Sequence, residues 1–337
     1  MLEDKFGRKM KDLRISVTDK CNFRCTYCMP AEIFGSKYVF LPKKEVLTFE
    51  EITRLSKIFI GFGVRKIRLT GGEPLLRQGL DTLVADLAAL DGLQDLSLTT
   101  NGYLLSKKAK SLKEAGLKRV TVSLDSIDDE VFAKMNGVGH GVQMIIEGIE
   151  EAARVGLAPI KVNAVVQKGV NENDILELAR HFKGTGHIVR FIEYMDVGTL
   201  NKWKLDEVVS AKDIVRIIHK ELPLEPIGSN YDGEVALRYR YKDGEGEIGI
   251  VPSVTQPFCG SCTRMRLSAD GHLYTCLFSE NGHDLKMPMR KGASDDELVA
   301  LISGIWGDRV DKYSEERATL PSGSGPRSKV EMYHIGG

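Results

Sequence analysis

The sequence predicts an α/β fold, a partial (β/α)6 TIM-like barrel followed by a C-terminal α+β extension. Three observations predict it. Short β-rich runs alternate with helical stretches from Leu13 to Met195. The helices between them carry start and stop signals. The rhythm ends after six units, whereas a complete eight-fold barrel would need more chain before the composition changes. Strand–helix–strand repetition with helical crossovers implies a parallel sheet wound in one hand.

The strands are expected at Leu13–Val17, Lys66–Thr70, Asp95–Thr99, Arg119–Leu124, Ile160–Val166 and His187–Tyr194. Thr48 and Glu51 form a capping box ahead of Ile52, Leu55, Ile58, Phe59 and Phe62, and Gly63 can close that helix. A helix over Ser106–Ala115 should stop at Gly116, and one over Gln143–Val155 at Gly156. Asn173 is the expected cap of a helix running to Phe182. Before the helix expected near residue 80, Gln78-Gly79 stands where an acidic cap is usual, so that cap is in doubt.

After Met195 the pattern changes, and two regions are expected, 1–200 and 201–337. The second holds a helix over Ala211–Glu221 and a hairpin of Val235–Tyr241 with Glu247–Val251. It continues with a hairpin of Met265–Ser268 and Leu273–Cys276 around Asp270-Gly271, a helix near Ser294–Trp306 and a Gly-, Ser- and Pro-rich tail.

Composition narrows the class. The 337 residues are 42% hydrophobic and 28% charged, which are globular values. A formal net charge of +0 argues against a nucleic-acid partner, which usually demands a basic excess. Met1–Lys11 lacks the apolar core of a secretory signal, and no run has the length of a membrane span, so a cytoplasmic protein without a membrane partner is expected.

Strand parity gives the first functional clue. Leu13, Ile15 and Val17 share one face, which leaves Arg14 and Ser16 on the other. By the same alternation Arg68, Lys161 and Arg190 oppose apolar neighbours. With the apolar faces under the helices, these four cations point into the barrel. Buried cations need anions. Internal acids such as Asp125 or Glu193 could serve each of them singly, whereas a polyanion such as a nucleoside triphosphate would serve the set.

The six cysteines fall in two triplets, Cys21/Cys25/Cys28 and Cys259/Cys262/Cys276. Odd-numbered groups suit metal sites better than disulfides. In the first, three thiolates on a four-iron cubane would leave one iron open to a ligand. A zinc site completed by a distant residue is the alternative, although structural zinc favours paired C-x2-C units. In the second, Cys259-x2-Cys262-x13-Cys276 with His272 or His283 would make a Cys3His zinc site, and zinc and iron–sulfur are evenly matched. Gly71-Gly72-Glu73-Pro74 follows the second strand, where glycines let a ligand approach the backbone and Glu73 could accept from an ammonium group. Thr99-Thr100-Asn101-Gly102 and Ser123-Leu124-Asp125 end later strands on the same side.

Taken together, these motifs resemble the radical S-adenosylmethionine (SAM) superfamily, in which C-x3-C-x2-C with an aromatic residue before the last cysteine holds a [4Fe–4S] cluster. Leu13-Arg14-Ile15-Ser16-Val17-Thr18-Asp19, the second triplet, Arg264-Met265-Arg266 and the terminal Ile335-Gly336-Gly337 narrow the resemblance to the GTP 3′,8-cyclase family. It runs from about Leu13 to Gly337. The resemblance implies two [4Fe–4S] clusters, on Cys21/Cys25/Cys28 and on Cys259/Cys262/Cys276, with SAM on the first and the guanine of GTP on the second. It also implies that Tyr27, Gly72, Ser123 and Met195 contact SAM. Arg14, Arg68, Thr99, Lys161, Arg264, Met265 and Arg266 would contact GTP, and strand parity adds Arg190 to that set. Arg264, Arg266 and the tail glycines Gly336 and Gly337 would serve catalysis, the tail entering the active site.

The reaction so implied removes hydrogen from ribose C3′ of GTP with a 5′-deoxyadenosyl radical, joins C3′ to guanine C8 and yields 3′,8-cyclo-7,8-dihydro-GTP for molybdenum cofactor biosynthesis. An external electron donor, product hand-off to a cyclic pyranopterin monophosphate synthase and a homodimer follow from the same resemblance. Two rivals remain at this point. A peptide-modifying radical SAM enzyme would need a more cysteine-rich extension. A non-catalytic zinc or cluster module for RNA would need a basic surface.

Overall fold

The computed structural model describes residues 2–231, 233–317 and 329–336. Six strands come first: β1 (Asp12–Ser16), β2 (Lys66–Thr70), β3 (Asp95–Thr100), β4 (Arg119–Ser123), β5 (Lys161–Val166) and β6 (Ile188–Glu193). The helices α1 (Phe49–Gly61), α2 (Leu80–Ala88), α3 (Leu105–Glu114), α4 (Asp129–Asn136), α5 (Gln143–Arg154) and α6 (Ile175–Phe182) lie between them. The helix ends follow local chemistry. Thr48 and Glu51 close the capping box of α1. Gly79 caps α2 at φ 70° without a side-chain bond, in keeping with the doubtful cap there. Asn173 does not cap α6. It sits inside a 3-10 turn over Glu172–Asp174 that leads straight into the helix from Asp174.

The expected elements after residue 200 also form. The region runs α7 (Ala211–Glu221), β7 (Leu224–Ile227), β8 (Leu237–Tyr241), β9 (Glu247–Val251), β10 (Arg264–Leu267), β11 (His272–Tyr274), β12 (His283–Asp284), α8 (Lys286–Arg290) and α9 (Asp295–Gly307), of which β7, β12 and α8 are additions to the expected set. The short helices α10 (Tyr313–Glu316) and α11 (Met332–Ile335) follow.

The sheet extends beyond six strands. Its order is β12-β11-β10-β1-β2-β3-β4-β5-β6-β9-β8-β7. The hairpin strands β10 and β9 pair in parallel with β1 and β6, so the C-terminal region continues the barrel sheet at both edges. Both edges of the six-stranded sheet offer free backbone donors and acceptors, and strands arriving from the C-terminal region satisfy them. β11 and β8 then turn the pairing antiparallel.

Register arranges the site. Leu13, Ile15, Ile67, Leu69, Leu96, Leu98, Val120, Val122, Val162, Val189 and Phe191 are buried in one continuous core. The opposite face carries a polar row across neighbouring strands, with Arg266, Arg14, Arg68 and Ser97 in register. A second row places Asn163, Arg190 and Gly249 side by side. A Cβ on Gly249 would stand 3.1 Å from Arg190 Cγ, so glycine makes room for that side chain.

Candidate active site

The cysteine loop leaves β1 and is built on its own backbone. The Cys25 carbonyl accepts from the amides of Cys28 (3.0 Å) and Met29 (2.9 Å). The Arg24 guanidinium donates to the carbonyls of Phe34, Cys21 and Phe23, tying both ends of the loop. Phe23 packs edge-on against Tyr103 and Phe132, anchoring the loop to α4. Burial pushes the Cys21 thiol up to about 11, with Glu73 adding to it. Burial also raises Cys25, beside Asp125, and Cys28, beside Cys21. Three buried thiols at the end of a barrel strand would be ionised by a bound metal, which removes that penalty. Among the described residues no three His, Cys, Asp or Glu side chains converge for a single metal ion.

The Gly71-Gly72 turn is packed rather than open. The Gly72 amide donates to Thr18 O and the Glu73 amide to Lys20 O, both at 2.8 Å. A Cβ on Gly71 or Gly72 would collide with the Thr18 or Lys20 carbonyl, so these glycines admit the start of the cysteine loop. The missing side chains therefore serve the packing of that loop. The free acceptor expected at Glu73 is not found. Glu73 is fully buried, and its carboxylate accepts from Leu75 N (2.9 Å), Thr100 Oγ1 (2.7 Å) and Asn101 N (2.7 Å). It therefore binds the β2 turn to the β3 turn. Burial pushes its carboxyl up to about 7 against those three bonds.

Inside the barrel the cations are present as parity requires, and the internal acids do not neutralise them. Asp125 accepts from Tyr27 Oη (2.8 Å) and Val165 N (2.9 Å). Glu193 is used by the amides of Ala211, Val254 and Thr255 and by Thr255 Oγ1. Burial and the neighbouring arginines depress Arg14 and Arg68 and bring Arg190 to about 9 and Lys161 to about 7. Buried Arg68 Nε, Thr99 Oγ1 and Thr121 Oγ1 have no partner among the described residues. Orphaned donors of this kind in a charged interior are what a bound polar molecule satisfies.

A cavity of about 180 Å³ joins these cations to the second triplet. Arg14, Arg68, Arg190, Arg264 and Arg266 line it with Cys259, Cys262 and Cys276, and Met195 stands at its wall. Lys161, Thr99, Ser123, Tyr27 and Gly72 are outside its lining. Lys161 still feels Arg190 and Arg119 from the start of β5. Met265 is a correction. Its side chain has no exposed surface and lies in register with Leu13 in the core, because only alternate residues of β10 face the cavity. The parity rule that found Arg14 also predicts this.

Cys259 and Cys262 flank a 3-10 turn, and Cys276 follows β11. Burial opposes ionisation of Cys262, but Arg264 and Arg309 outweigh it and bring the thiol down to about 6. Burial pushes Cys276 up to about 11. The tail reaches the same place. Met332 of α11 lines the cavity, and the Gly336 carbonyl accepts from Arg266 Nη1. Gly337 lies outside the described residues. Strand parity puts Asn163 on the same face as Lys161 without giving it a role; it accepts from Arg190 Nε at 2.9 Å and shares the cavity wall. The sequence reading missed Arg309, which no local pattern marks.

Known proteins match the chain over its whole length. A model of the radical SAM superfamily matches residues 15–182, and one described as Molybdenum Cofactor Synthesis C matches residues 187–315. A GTP 3′,8-cyclase of Acidothermus cellulolyticus is 50% identical over 100% of this chain and 99% of its own. One of Staphylococcus epidermidis is 48% identical with the same coverage. Among solved structures, that of Streptococcus suis SuiB bound to S-adenosylmethionine superposes with a TM-score of 0.60 at 17% identity, covering 90% of this chain and 69% of that one. A radical SAM domain implies a [4Fe–4S] cluster and SAM, and Cys21, Cys25 and Cys28 lie within the matched residues. No described helix is long and apolar enough to cross a membrane. The chain belongs to the GTP 3′,8-cyclase family of the radical SAM superfamily.

Proposed function

We propose that this chain converts GTP into (8S)-3′,8-cyclo-7,8-dihydroguanosine 5′-triphosphate, an early step of molybdenum cofactor biosynthesis. One observation carries the reading: Arg14, Arg68, Arg190, Arg264 and Arg266 share a cavity with a second cysteine triplet. A triphosphate would neutralise that charge, and Cys259, Cys262 and Cys276 would hold a second [4Fe–4S] cluster whose three-thiolate ligation leaves room for the guanine. The donor set fits such a group, since three thiols with none left over for a disulfide meet a positively charged wall.

When bound, the first cluster and SAM supply one-electron chemistry, which removes hydrogen from ribose C3′ so that C3′ can bond to C8 of guanine. The chain's own residues do the positioning. Arg14, Arg68 and Arg266, adjacent in register, bind phosphate oxygens by planar, charge-assisted contacts, and Lys161 adds a point charge. Arg190, held by Asn163, faces the nucleotide from the opposite strands, and Arg264 stands beside the second triplet. Thr99 offers its unpaired hydroxyl. Tyr27, Gly72, Ser123 and Met195 surround SAM. The tail, held to Arg266 through the Gly336 carbonyl, limits water near the reacting carbons. Fixing C3′ near C8 is where much of the rate gain arises.

Residues 1–200 act as the SAM-binding part and 201–337 as the auxiliary-cluster and substrate part. The enzyme works as a cytoplasmic homodimer, takes its electrons from an external donor and hands its product to a cyclic pyranopterin monophosphate synthase. Anaerobic reconstitution followed by SAM, GTP and a reductant tests the reading. GTP-dependent 5′-deoxyadenosine together with the cyclic nucleotide is expected; 5′-deoxyadenosine that does not depend on GTP would overturn it.

A further inference from the structure

Behind the second triplet lies a buried charge network that the reaction as described does not use. Asp4 is 7% exposed and its carboxylate serves two guanidiniums, Arg8 Nε at 2.6 Å and Arg309 Nη1 at 3.4 Å. Arg8 and Arg309 are themselves 5% and 4% exposed. Each reaches a cysteine backbone. Arg8 Nη1 donates to Cys259 O at 2.9 Å, and Arg309 Nη1 donates to Cys262 O at 2.9 Å. Arg309 also lies over the Trp306 ring at 4.6 Å, while Trp306 Nε1 donates to the Arg8 carbonyl.

Its charges do not balance internally. Two buried guanidiniums share one fully buried carboxylate, and the other acid within reach, Asp311, is 3.3 Å from Arg309 Nε and half-open to solvent. A buried cation without its anion is costly. The remaining donor of Arg309, Nη2, points at Cys262 Sγ from 3.3 Å. The sulfur is the acceptor that completes the network, and a cationic donor on a cluster's sulfur ligand withdraws electron density and favours the reduced state.

We propose that Arg309, held by the Asp4–Arg8 pair, is a positioning residue that orients Cys262 and raises the reduction potential of the cluster on the second triplet. The proposal rests on the reading of that triplet as an iron–sulfur site. Its partners come from the N-terminal segment, the C-terminal end of α9 and the cysteine turn, so three distant parts of the chain converge on one ligand sulfur.

The test uses the full-length protein reconstituted anaerobically, with R309K, R309Q and D4N beside the parent. Iron and sulfide content and the midpoint potential of each cluster, followed by EPR, are measured. R309K keeps the charge but loses the planar fork, and D4N removes the anchor without touching a cysteine. In both, the second cluster should become harder to reduce by about tenfold, about 59 mV for a one-electron couple. R309Q should shift further, and the first cluster should not move. Full iron with an unmoved second potential in R309K would overturn the proposal, as would an equal shift of both clusters. If R309K does not hold iron, the D4N potential decides by the same criterion. Zinc without sulfide at the second site of the parent would instead refute the cluster reading and the proposal together, a result recognisable from the metal analysis alone.

Discussion

Arg14 on β1 and Arg68 on β2 occupy register-matched positions of adjacent parallel strands, with Arg266 of β10 on the other flank of Arg14. Neighbouring strands are about 4.8 Å apart, and like charges side by side on a sheet destabilise it. Among the described residues none of the three forms an ion pair with a carboxylate, so the ligand-free protein tolerates a repulsion that a polyanion relieves.

This relationship predicts opposite signs for stability and binding. Arg68→Met removes a buried charge while keeping much of its volume, so the apoprotein should gain about 2–4 °C in Tm. GTP affinity should fall at least about tenfold, as expected when one charge-assisted contact is lost. Calorimetric unfolding and equilibrium binding on the same sample check both. A fall in Tm would mean that the arginine is satisfied within the protein.

Lys161 predicts a pH dependence. Burial and Arg190 hold its ammonium down to about 7 in the free protein, and a bound triphosphate raises that value. The protonated form binds better. The contribution is therefore complete below pH 7 and is lost as pH rises from about 7 through the bound-state value. GTP affinity should weaken by up to about tenfold per pH unit there. In K161R the guanidinium stays charged, so this component should vanish while the nucleotide's own titration remains. Parallel binding curves for the two proteins from pH 6 to 9 would expose any failure.

Gly336 predicts a geometric requirement. Its φ is 70°, and a Cβ there would run into the Thr70 side chain while its carbonyl holds Arg266. Gly336→Ala should cut turnover by about a hundredfold, the cost of a misplacement near 1 Å, with iron content and Tm unchanged. Wild-type turnover in this variant would remove the tail from the mechanism.

Glu73 predicts a local structural loss. In Glu73→Gln the amide NH2 would face donors from Leu75, Thr100 and Asn101, leaving one buried group unpaired at about 1–3 kcal/mol. Lower Tm and faster hydrogen exchange across 71–76 are expected. Unchanged exchange there would refute the tie between the two turns.

Much of the site was legible because a strand has period two. Arg14, Arg68 and Arg190 were placed in the barrel by counting alternate residues, and the cavity lining includes all three. Met265 lies in the core by that same rule, since only Arg264 and Arg266 of the Arg-Met-Arg run share the cavity face. That Glu73 is used up by Leu75, Thr100 and Asn101 is not legible locally, because two of those donors come from a different strand end. Asn173 failed as a cap because a 3-10 turn preceding α6 competes for the same residues.

The sequence by itself determined the strand–helix rhythm, the two cysteine triplets and the lumenal charge, since these depend on spacing along the chain. Only the tertiary structure decided that β9 and β10 continue the barrel sheet, that Asp125 and Glu193 serve backbone amides, and that Asp4 meets Arg309. Those facts join residues up to 305 positions apart. Such contacts arise from closing a sheet and pairing buried charges, and neither leaves a period in the sequence.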